Sequence, residues 1–199
     1  ALMFLYFTRP YADWAALILF VGAALTDWLD GFLARAWKQE SKLGRMLDPI
    51  ADKAMVVIAL LVLTSIFGLN PLILLPAAII VFREIFVSGL REFMGDMANS
   101  LQVTKLAKWK TTAQMLAIAL LFAVGIFESC LEIEPAWQGI SLEPDTSLSY
   151  AEISNDFSFC YTGMYLVWYG GVILLWVAAS LTLITGVDYF RKVLPYLHD

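Results

Sequence analysis

The chain contains five long stretches of mainly apolar residues, and each is long enough to cross a membrane as a helix. A hydrocarbon core about 30 Å thick needs about 20 apolar residues, because each helical residue advances about 1.5 Å. Hydrophobic residues make up 60% of the chain, above the roughly 45–50% of a soluble domain. The stretches run over 14–35, 49–67, 71–93, 111–127 and 164–187. We therefore expect an all-α, polytopic membrane helix bundle.

Residues 1–7 predict a further span. The chain begins at Ala1 and continues Leu-Met-Phe-Leu-Tyr-Phe, which is typical of the tail of a transmembrane helix whose beginning is missing, rather than of a signal peptide. This gives six transmembrane helices, the first of them truncated, in a single membrane domain over 1–199. The residues from Gly68 to Pro71 predict a tight turn between two spans, with proline opening the second helix.

The distribution of charge predicts the orientation of the bundle. Most Lys and Arg residues lie in 36–47, in 94–110 and at the carboxyl terminus, and such residues favour the cytoplasmic side. The segment 127–162 has no Lys or Arg but seven acidic residues, so we expect an acidic extracytoplasmic loop there. Cys130 and Cys160 bracket it, and the sequence leaves open whether they form a disulfide.

Four aspartates lie near the cytoplasmic ends of the first two complete spans. Asp27 and Asp30 are three residues apart, and Asp48 and Asp52 are four apart, so each pair shares one face of a helix. Ionised carboxylates at the edge of hydrocarbon are costly unless they face water, a partner or a metal. Two such pairs on neighbouring helices predict an all-oxygen site for a hard divalent cation such as Mg²⁺.

Three of the spans carry charge only at their cytoplasmic ends, in 27–35, 48–53 and 83–92. This asymmetry predicts a polar cavity that opens to the cytoplasm and reaches into the inner leaflet. Two other interpretations of the aspartates stay open on spacing alone: a proton or cation pathway, and salt bridges to Arg35 and Lys53.

A second polar group surrounds the third and fourth complete spans. Arg83 and Arg91 are eight residues apart, about two helical turns, and each precedes a glutamate. The pattern fits either structural Arg–Glu pairs or an arginine that binds a phosphate. Three lysines precede the next span and are typical of anchors at the membrane surface: Lys105, Lys108 and Lys110. The first two also suit an anion pocket with the arginines.

The acidic motif resembles the signature of a known family. The pattern Asp-x-x-Asp-Gly-x-x-Ala-Arg-x(8)-Gly-x-x-x-Asp-x-x-x-Asp matches, without a departure, that of the CDP-alcohol phosphotransferases, which transfer a phosphatidyl or similar group from a CDP-linked donor to an alcohol and release CMP. The resemblance implies Asp27, Asp30, Asp48 and Asp52 as metal ligands, Asp52 also as general base, and Asp27, Gly31, Ala34, Arg35 and Gly44 as contacts of the CDP donor. Small residues also occur where membrane helices merely pack.

Two further stretches, 83–92 and 105–115, resemble the branch of bacterial enzymes that make phosphatidylglycerophosphate. That likeness implies CDP-diacylglycerol as donor and sn-glycerol 3-phosphate as acceptor, with the acceptor phosphate bound by Arg83, Arg91, Lys105 and Lys108. It also implies a Mg²⁺-assisted direct displacement, with one or two ions and Mn²⁺ as a substitute. The expected setting is a homodimer in a bacterial inner membrane, with its active site facing the cytoplasm and no nucleic-acid partner.

Two alternatives to this function remain. Another branch of the family, making phosphatidylinositol phosphate or phosphatidylserine, needs the same motif. A divalent-cation transporter of a different class also needs a carboxylate cluster, but it has no need of the small residues Gly31, Ala34 and Gly44 beside it.

Overall fold

The computed structural model describes residues 4, 7–37, 42–95, 105–132 and 150–197, with side chains not described at 10, 27–28, 30–37, 42–43, 45, 48–49, 105–108, 132, 150–156 and 197. The helices are α1 (Arg9–Trp37), α2 (Lys42–Ile66), α3 (Pro71–Met94), α4 (Lys105–Glu132) and α5 (Tyr150–Val193), and a short 3₁₀ helix, Leu194–Leu197, follows. Within these ranges almost every residue is helical and no strand occurs. The all-α prediction is confirmed.

Three helical segments are long and apolar enough to cross a membrane, judged by length and composition: Pro71–Met94, Trp109–Leu131 and Phe157–Tyr196. A shorter apolar helix covers Tyr11–Thr26. Large apolar side chains point outward along these segments, among them Phe82 and Leu166, as expected where the neighbour is hydrocarbon rather than water. The chain is therefore a helical membrane protein, while the count of six spans stays a prediction.

The helices extend beyond the apolar stretches that predicted them. α4 continues to Glu132 and α5 already begins at Tyr150, so helix covers both ends of the segment 127–162 that the sequence predicted as a loop. The difference arises because hydropathy marks the length of chain in hydrocarbon, whereas a helix can continue into water. Residues 133–149 lie outside the described part.

The interior of the bundle is built around α4. This helix packs along α5 and also contacts α1 and α2, while α3 packs on α5 and α2. The largest fully buried apolar side chains come from four helices: Leu60, Leu63, Ile73, Ile80, Ile118, Leu121 and Leu175. Because lipid tails are as apolar as these side chains, close van der Waals packing holds such helices together.

A tight turn joins α2 to α3, as the sequence predicts. Gly68 has a φ of 63°, a conformation that suits glycine. Asn70 caps α3: its Oδ1 accepts a hydrogen bond from the backbone N–H of Leu72 at 3.0 Å, and Pro71 opens the helix. The turn makes α2 and α3 antiparallel neighbours, so Asp52 and Glu84, at similar distances from it, lie at the same level.

The carboxyl-terminal end of α4 carries polar contacts and a disulfide to neighbouring helices. Cys130 and Cys160 form a disulfide between α4 and α5, with their Cα atoms 6.2 Å apart. Arg9 at the start of α1 pairs with Asp13 at 3.6 Å and with Glu128 of α4 at 3.3 Å. These contacts fasten α1 and α5 to the same end of α4.

Candidate active site

The acidic motif lies on two helices of the bundle. α1 continues unbroken through Asp27 and Asp30, and α2 does so through Asp48 and Asp52, so each pair shares a helix face. Six motif positions are described only as helical backbone, and their contacts lie outside the described part: Asp27, Asp30, Gly31, Ala34, Arg35 and Asp48. Of the remaining two, Gly44 is half-buried in the first turn of α2 and Asp52 is exposed.

Asp52 opens onto a cavity of about 210 Å³ between α2, α3 and α4. The lining residues are Asp52, Lys53, Val56, Glu84, Arg91, Lys110, Thr111, Gln114 and Met115. The structure thus brings together two residues for which the sequence predicted complementary roles: Asp52 as the base, and Arg91 as a ligand of the acceptor phosphate. Arg91 is exposed, and its guanidinium carbon lies 5.6 Å from the centre of the Tyr189 ring on α5.

Glu84 organises the positive charge on one side of the cavity. Its Oε1 accepts a hydrogen bond from the ammonium of Lys110 on α4 and another from Nη1 of Arg83, at 3.3 Å. The side chains of all three residues are largely buried, with exposures of 9–15%. A buried cation needs such a partner, because an unpaired charge away from water is costly.

Arg83 lies between α3 and α5 rather than in the cavity lining. Its Nη2 donates to Oγ1 of Thr185 at 3.3 Å, and its side chain packs against Gly186. The spacing of about two turns suggests that Arg83 and Arg91 share a helix face, and this expectation is wrong. Eight residues correspond to two turns plus about 80° of rotation, so Arg91 lines the cavity while Arg83 contacts α5. A role for Arg83 in binding the acceptor phosphate stays a prediction, as do the roles of Lys105 and Lys108, whose side chains lie outside the described part.

Lys53 is a further cation of the cavity. Its Nζ donates to Oγ of Ser88 at 2.6 Å, and that hydroxyl donates to the backbone carbonyl of Glu84 at 2.5 Å. These bonds connect α2 to α3 next to Asp52. They also fix the direction of a lysine that the sequence assigned only to a possible salt bridge.

Three functional candidates were missed in the sequence: Lys53, Lys110 and Gln114. Lys110 was interpreted as a membrane anchor, because a lysine just before an apolar span is usually one. Helical periodicity was the signal that could have identified Lys110 and Gln114 as a pair, since they are four residues apart and share a face of α4. Among the described lining residues, three cations face two carboxylates, which suits an anionic, phosphate-bearing ligand.

The donor set of the motif fits a divalent cation. Four carboxylates offer only oxygen ligands, as hard cations require, and the helical backbone at 27–30 and 48–52 keeps the members of each pair on one face. Among the side chains that the structure describes, no three acidic, His or Cys residues are grouped to hold a metal, but three of the four aspartates lie outside that set. Asp52 is the member whose position beside the cavity is described.

A carboxylate motif on two helices, beside a cation-lined cavity, defines a membrane protein with a site suited to phosphate-bearing molecules. The chain belongs to the CDP-alcohol phosphatidyltransferase family, whose sequence profile matches residues 1–141. Members of this family generally depend on divalent cations. Family membership and the resemblance seen in the acidic motif therefore agree.

Three curated relatives carry the name CDP-diacylglycerol–glycerol-3-phosphate 3-phosphatidyltransferase. The protein from Cereibacter sphaeroides is 57% identical over 204 aligned residues, which cover 100% of this chain and 90% of the relative. The Sodalis glossinidius protein is 48% identical over 58% of this chain and 65% of its own length. The Escherichia coli protein is 44% identical over 57% of this chain and 63% of its own length, so the matched region spans less than two thirds of the last two relatives.

Proposed function

We propose that this protein transfers the phosphatidyl group of CDP-diacylglycerol to sn-glycerol 3-phosphate, giving phosphatidylglycerophosphate and CMP. The observation that carries this proposal is the shared cavity of Asp52, Arg91 and Lys110, which offers a base and two phosphate-binding cations within one small space. The name of the full-length relative, at 57% identity, supports the same reaction and favours glycerol 3-phosphate over the acceptors of other branches.

The chemistry is a direct displacement at phosphorus. Asp52 accepts the proton of the primary hydroxyl of glycerol 3-phosphate, and that oxygen forms a bond to the phosphorus that carries the diacylglycerol. The bond between this phosphorus and the oxygen of CMP breaks, and CMP leaves with that oxygen. Among the residues that the structure describes, the cavity holds no Ser, Cys or His, so a covalent intermediate on such a residue has no support here.

The remaining motif residues hold the donor and the metal. Asp27, Asp30, Asp48 and Asp52 are the ligands we propose for Mg²⁺, as one or two ions, with Mn²⁺ as a substitute. When bound by these aspartates, the ion would supply positive charge to the pyrophosphate oxygens, which would make CMP a better leaving group. Contacts to the CDP donor come from Asp27, Gly31, Ala34, Arg35 and Gly44, and contacts to the acceptor phosphate from Arg83, Arg91, Lys105 and Lys108, with Lys110 added by the cavity.

The proposed setting is a bacterial inner membrane. The proposal includes six spans with the cavity at the cytoplasmic side, so that a lipid head group in the inner leaflet meets a soluble acceptor. The basic residues at this end of the helices favour that orientation. A homodimer is the proposed assembly.

The decisive experiment is CMP release from CDP-diacylglycerol in detergent micelles with Mg²⁺. Four reactions are compared, which contain glycerol 3-phosphate, inositol phosphate, serine or no acceptor. We expect release that depends on glycerol 3-phosphate, is lost with EDTA and returns with Mg²⁺. Asp52→Asn should lower the rate by about 10²- to 10⁴-fold, because the general base is removed.

Asp188→Asn is the matched control, since Asp188 pairs with Lys192 on α5 at 2.7 Å and does not line the cavity. It should keep the wild-type rate. Release with inositol phosphate or serine instead of glycerol 3-phosphate would keep the family chemistry and contradict the branch. Movement of Mg²⁺ into sealed vesicles without any CMP release would favour the transporter.

A further inference from the structure

Gln114 is a buried polar side chain in the wall of the cavity. It is only 3% exposed, and its Oε1 has no hydrogen-bond partner among the residues that the structure describes. The residue lines the same cavity as Asp52 and Lys110. Because Lys110 precedes it by four residues on α4, the two side chains are neighbours on one helix face.

A buried amide oxygen without a hydrogen bond is unfavourable for stability. A buried polar atom without a hydrogen bond costs about 1–3 kcal/mol, and the great majority of such atoms therefore have a partner. Some buried polar groups in this bundle satisfy themselves locally, as Thr185 does by donating to the backbone carbonyl of Leu181 at 2.8 Å. Gln114 does not, although a leucine or methionine would fill the same volume without the cost. A few others in the described part also lack a partner, among them Oγ1 of Thr182 and the hydroxyl of Tyr189, but of these unpaired groups only Gln114 lines the cavity.

The cations near Gln114 have partners in the cavity wall and keep further donors for a ligand, because an ammonium has three N–H groups. The ammonium of Lys110 bonds to Glu84, and that of Lys53 bonds to Ser88. In the described part of the chain, the atom of Gln114 without a partner is the carbonyl oxygen Oε1, which accepts a hydrogen bond. A hydroxyl can donate that bond, whereas an ionised phosphate oxygen cannot.

We propose that Gln114 binds the hydroxyl of the acceptor that does not react. The inference rests on the proposed function and deepens it. Glycerol 3-phosphate carries a phosphate, a primary hydroxyl that attacks and a secondary hydroxyl between them. Arg91 and Lys110 hold the phosphate, Asp52 takes the proton of the primary hydroxyl, and Gln114 pairs with the secondary hydroxyl.

The spacing along α4 agrees with this arrangement. Residues four apart on a helix have Cβ atoms about 5–6 Å apart, and both residues line the same cavity, so one small acceptor can contact the two side chains at once. Two fixed points, one for the phosphate and one for the middle hydroxyl, orient the primary hydroxyl toward Asp52. Gln114 is therefore a binding and positioning residue that selects for a polyol phosphate.

The test removes the hydroxyl from the substrate and the amide from the protein. The kcat/KM for CMP release is measured with glycerol 3-phosphate and with 3-hydroxypropyl phosphate, which differs only in lacking the secondary hydroxyl. We expect the wild-type enzyme to prefer glycerol 3-phosphate by at least about 10-fold, since the analogue leaves the buried amide unpaired. In Gln114→Met the preference should fall toward one, chiefly because activity with glycerol 3-phosphate decreases.

Arg91→Gln is the matched variant, because the phosphate it contacts is present in both acceptors. It should weaken both reactions to a similar degree and keep the wild-type preference. Gln114→Glu, which keeps a hydrogen-bond acceptor at the same position, should retain more of the preference than Gln114→Met. Thermal unfolding checks that each variant is folded, and Gln114→Met should be at least as stable as the wild type.

The outcomes separate this inference from the proposed function. A wild-type protein that releases no CMP with glycerol 3-phosphate contradicts the proposed function. A wild-type protein that is active but accepts both substrates equally contradicts only the role of Gln114. The same holds if Gln114→Met lowers both reactions alike and keeps the preference, since a purely structural role has that effect.

Discussion

At the scale of single residues, the charges around the cavity depend on one another. Glu84 receives hydrogen bonds from Lys110 of α4 and Arg83 of its own helix, and Arg83 continues to Thr185 of α5. A single carboxylate is therefore the shared counter-ion of two buried cations, and together these residues join three helices. Removing one member of such a group leaves the others buried without compensation, which is the costly event for a buried ion pair.

The first prediction concerns Glu84→Gln. This change keeps the shape of the side chain but removes its charge, so Lys110 and Arg83 lose their shared counter-ion. We expect the free energy of unfolding to fall by about 3–5 kcal/mol, measured by thermal unfolding in detergent micelles. CMP release should fall as well, since Lys110 is no longer held at the cavity wall.

Glu92→Gln is the control for this prediction. Glu92 lies on the same helix but is exposed, and substitutions at such sites usually change stability by no more than about 0.5 kcal/mol. Equal stability loss in both variants would contradict the central role that we assign to Glu84.

At the scale of helices, α4 and α5 pack closely because glycines lie at their contact. A Cβ atom on Gly171 would lie 2.8 Å from Cγ of Leu121, which is itself 1% exposed and has no room to move. On Gly163 it would overlap the ring of Phe127. Small residues at such positions let two helix backbones approach closely, which is how membrane helices gain packing energy.

The second prediction compares two neighbouring glycines. Gly171→Ala should lower the free energy of unfolding by about 1–3 kcal/mol, because the added methyl group overpacks the interface. Gly170→Ala should be neutral or slightly stabilising, since its Cβ would meet only Leu120 at an ordinary 3.6 Å and glycine in a helix is unfavourable. Thermal unfolding of both variants measures the difference, and a loss at 170 equal to that at 171 would contradict the packing described.

At the scale of the whole molecule, the two ends of α4 are chemically different. Lys110 faces the cavity at one end, and Cys130 forms the disulfide with Cys160 at the other. The two residues are separated by about 30 Å along the helix, which is about the thickness of the hydrocarbon core. Since disulfides persist in oxidising compartments, this arrangement fits a cavity on the cytoplasmic side and a disulfide outside.

The third prediction concerns that disulfide. Replacing both cysteines by serine should lower the free energy of unfolding by about 3 kcal/mol, because a cross-link across 30 residues restricts the unfolded chain. CMP release at moderate temperature should stay at the wild-type level, since the cavity lies at the other end of the bundle. Thermal unfolding and the release assay measure the two effects.

Reduction of the wild-type protein provides an independent check, because it should lower the unfolding temperature by as much as the double replacement does. Maleimide labelling adds a direct measurement of the thiols. Two reactive cysteines in freshly purified, unreduced protein would contradict the disulfide.

Much of the fold was predictable from the sequence, because apolar length alone identifies a membrane helix. Each of the five predicted spans corresponds to a helix, and the turn at Gly68 with Pro71 opening the next helix appeared as expected. The helix ends were less predictable, since α5 starts fourteen residues before the predicted span at 164. Hydropathy gives no signal once a helix has left the hydrocarbon.

The candidate site was also only partly predictable from the sequence. Asp52 and Arg91 were singled out by motif and charge, and they do share a cavity. The signal for Gln114 was only its spacing of four residues from Lys110, because one amide in an apolar stretch otherwise resembles a tolerated polar residue. Arg83 was predicted to bind the acceptor phosphate and Lys110 only to anchor its helix, but Lys110 lines the cavity and Arg83 hydrogen-bonds to α5. Whether a long cation faces a cavity or a neighbouring helix depends on rotation angles and packing.

The sequence by itself determined that this is a helical membrane protein of the CDP-alcohol phosphatidyltransferase family, because apolar length and a motif of fixed spacing are properties of the chain alone. Only the tertiary structure decided which charged side chains meet. Glu84, Lys110 and Asp52 come from three helices, and their meeting depends on how those helices pack. The pairing of Cys130 with Cys160 has the same cause, since packing of α4 on α5 brings together two thiols that are thirty residues apart.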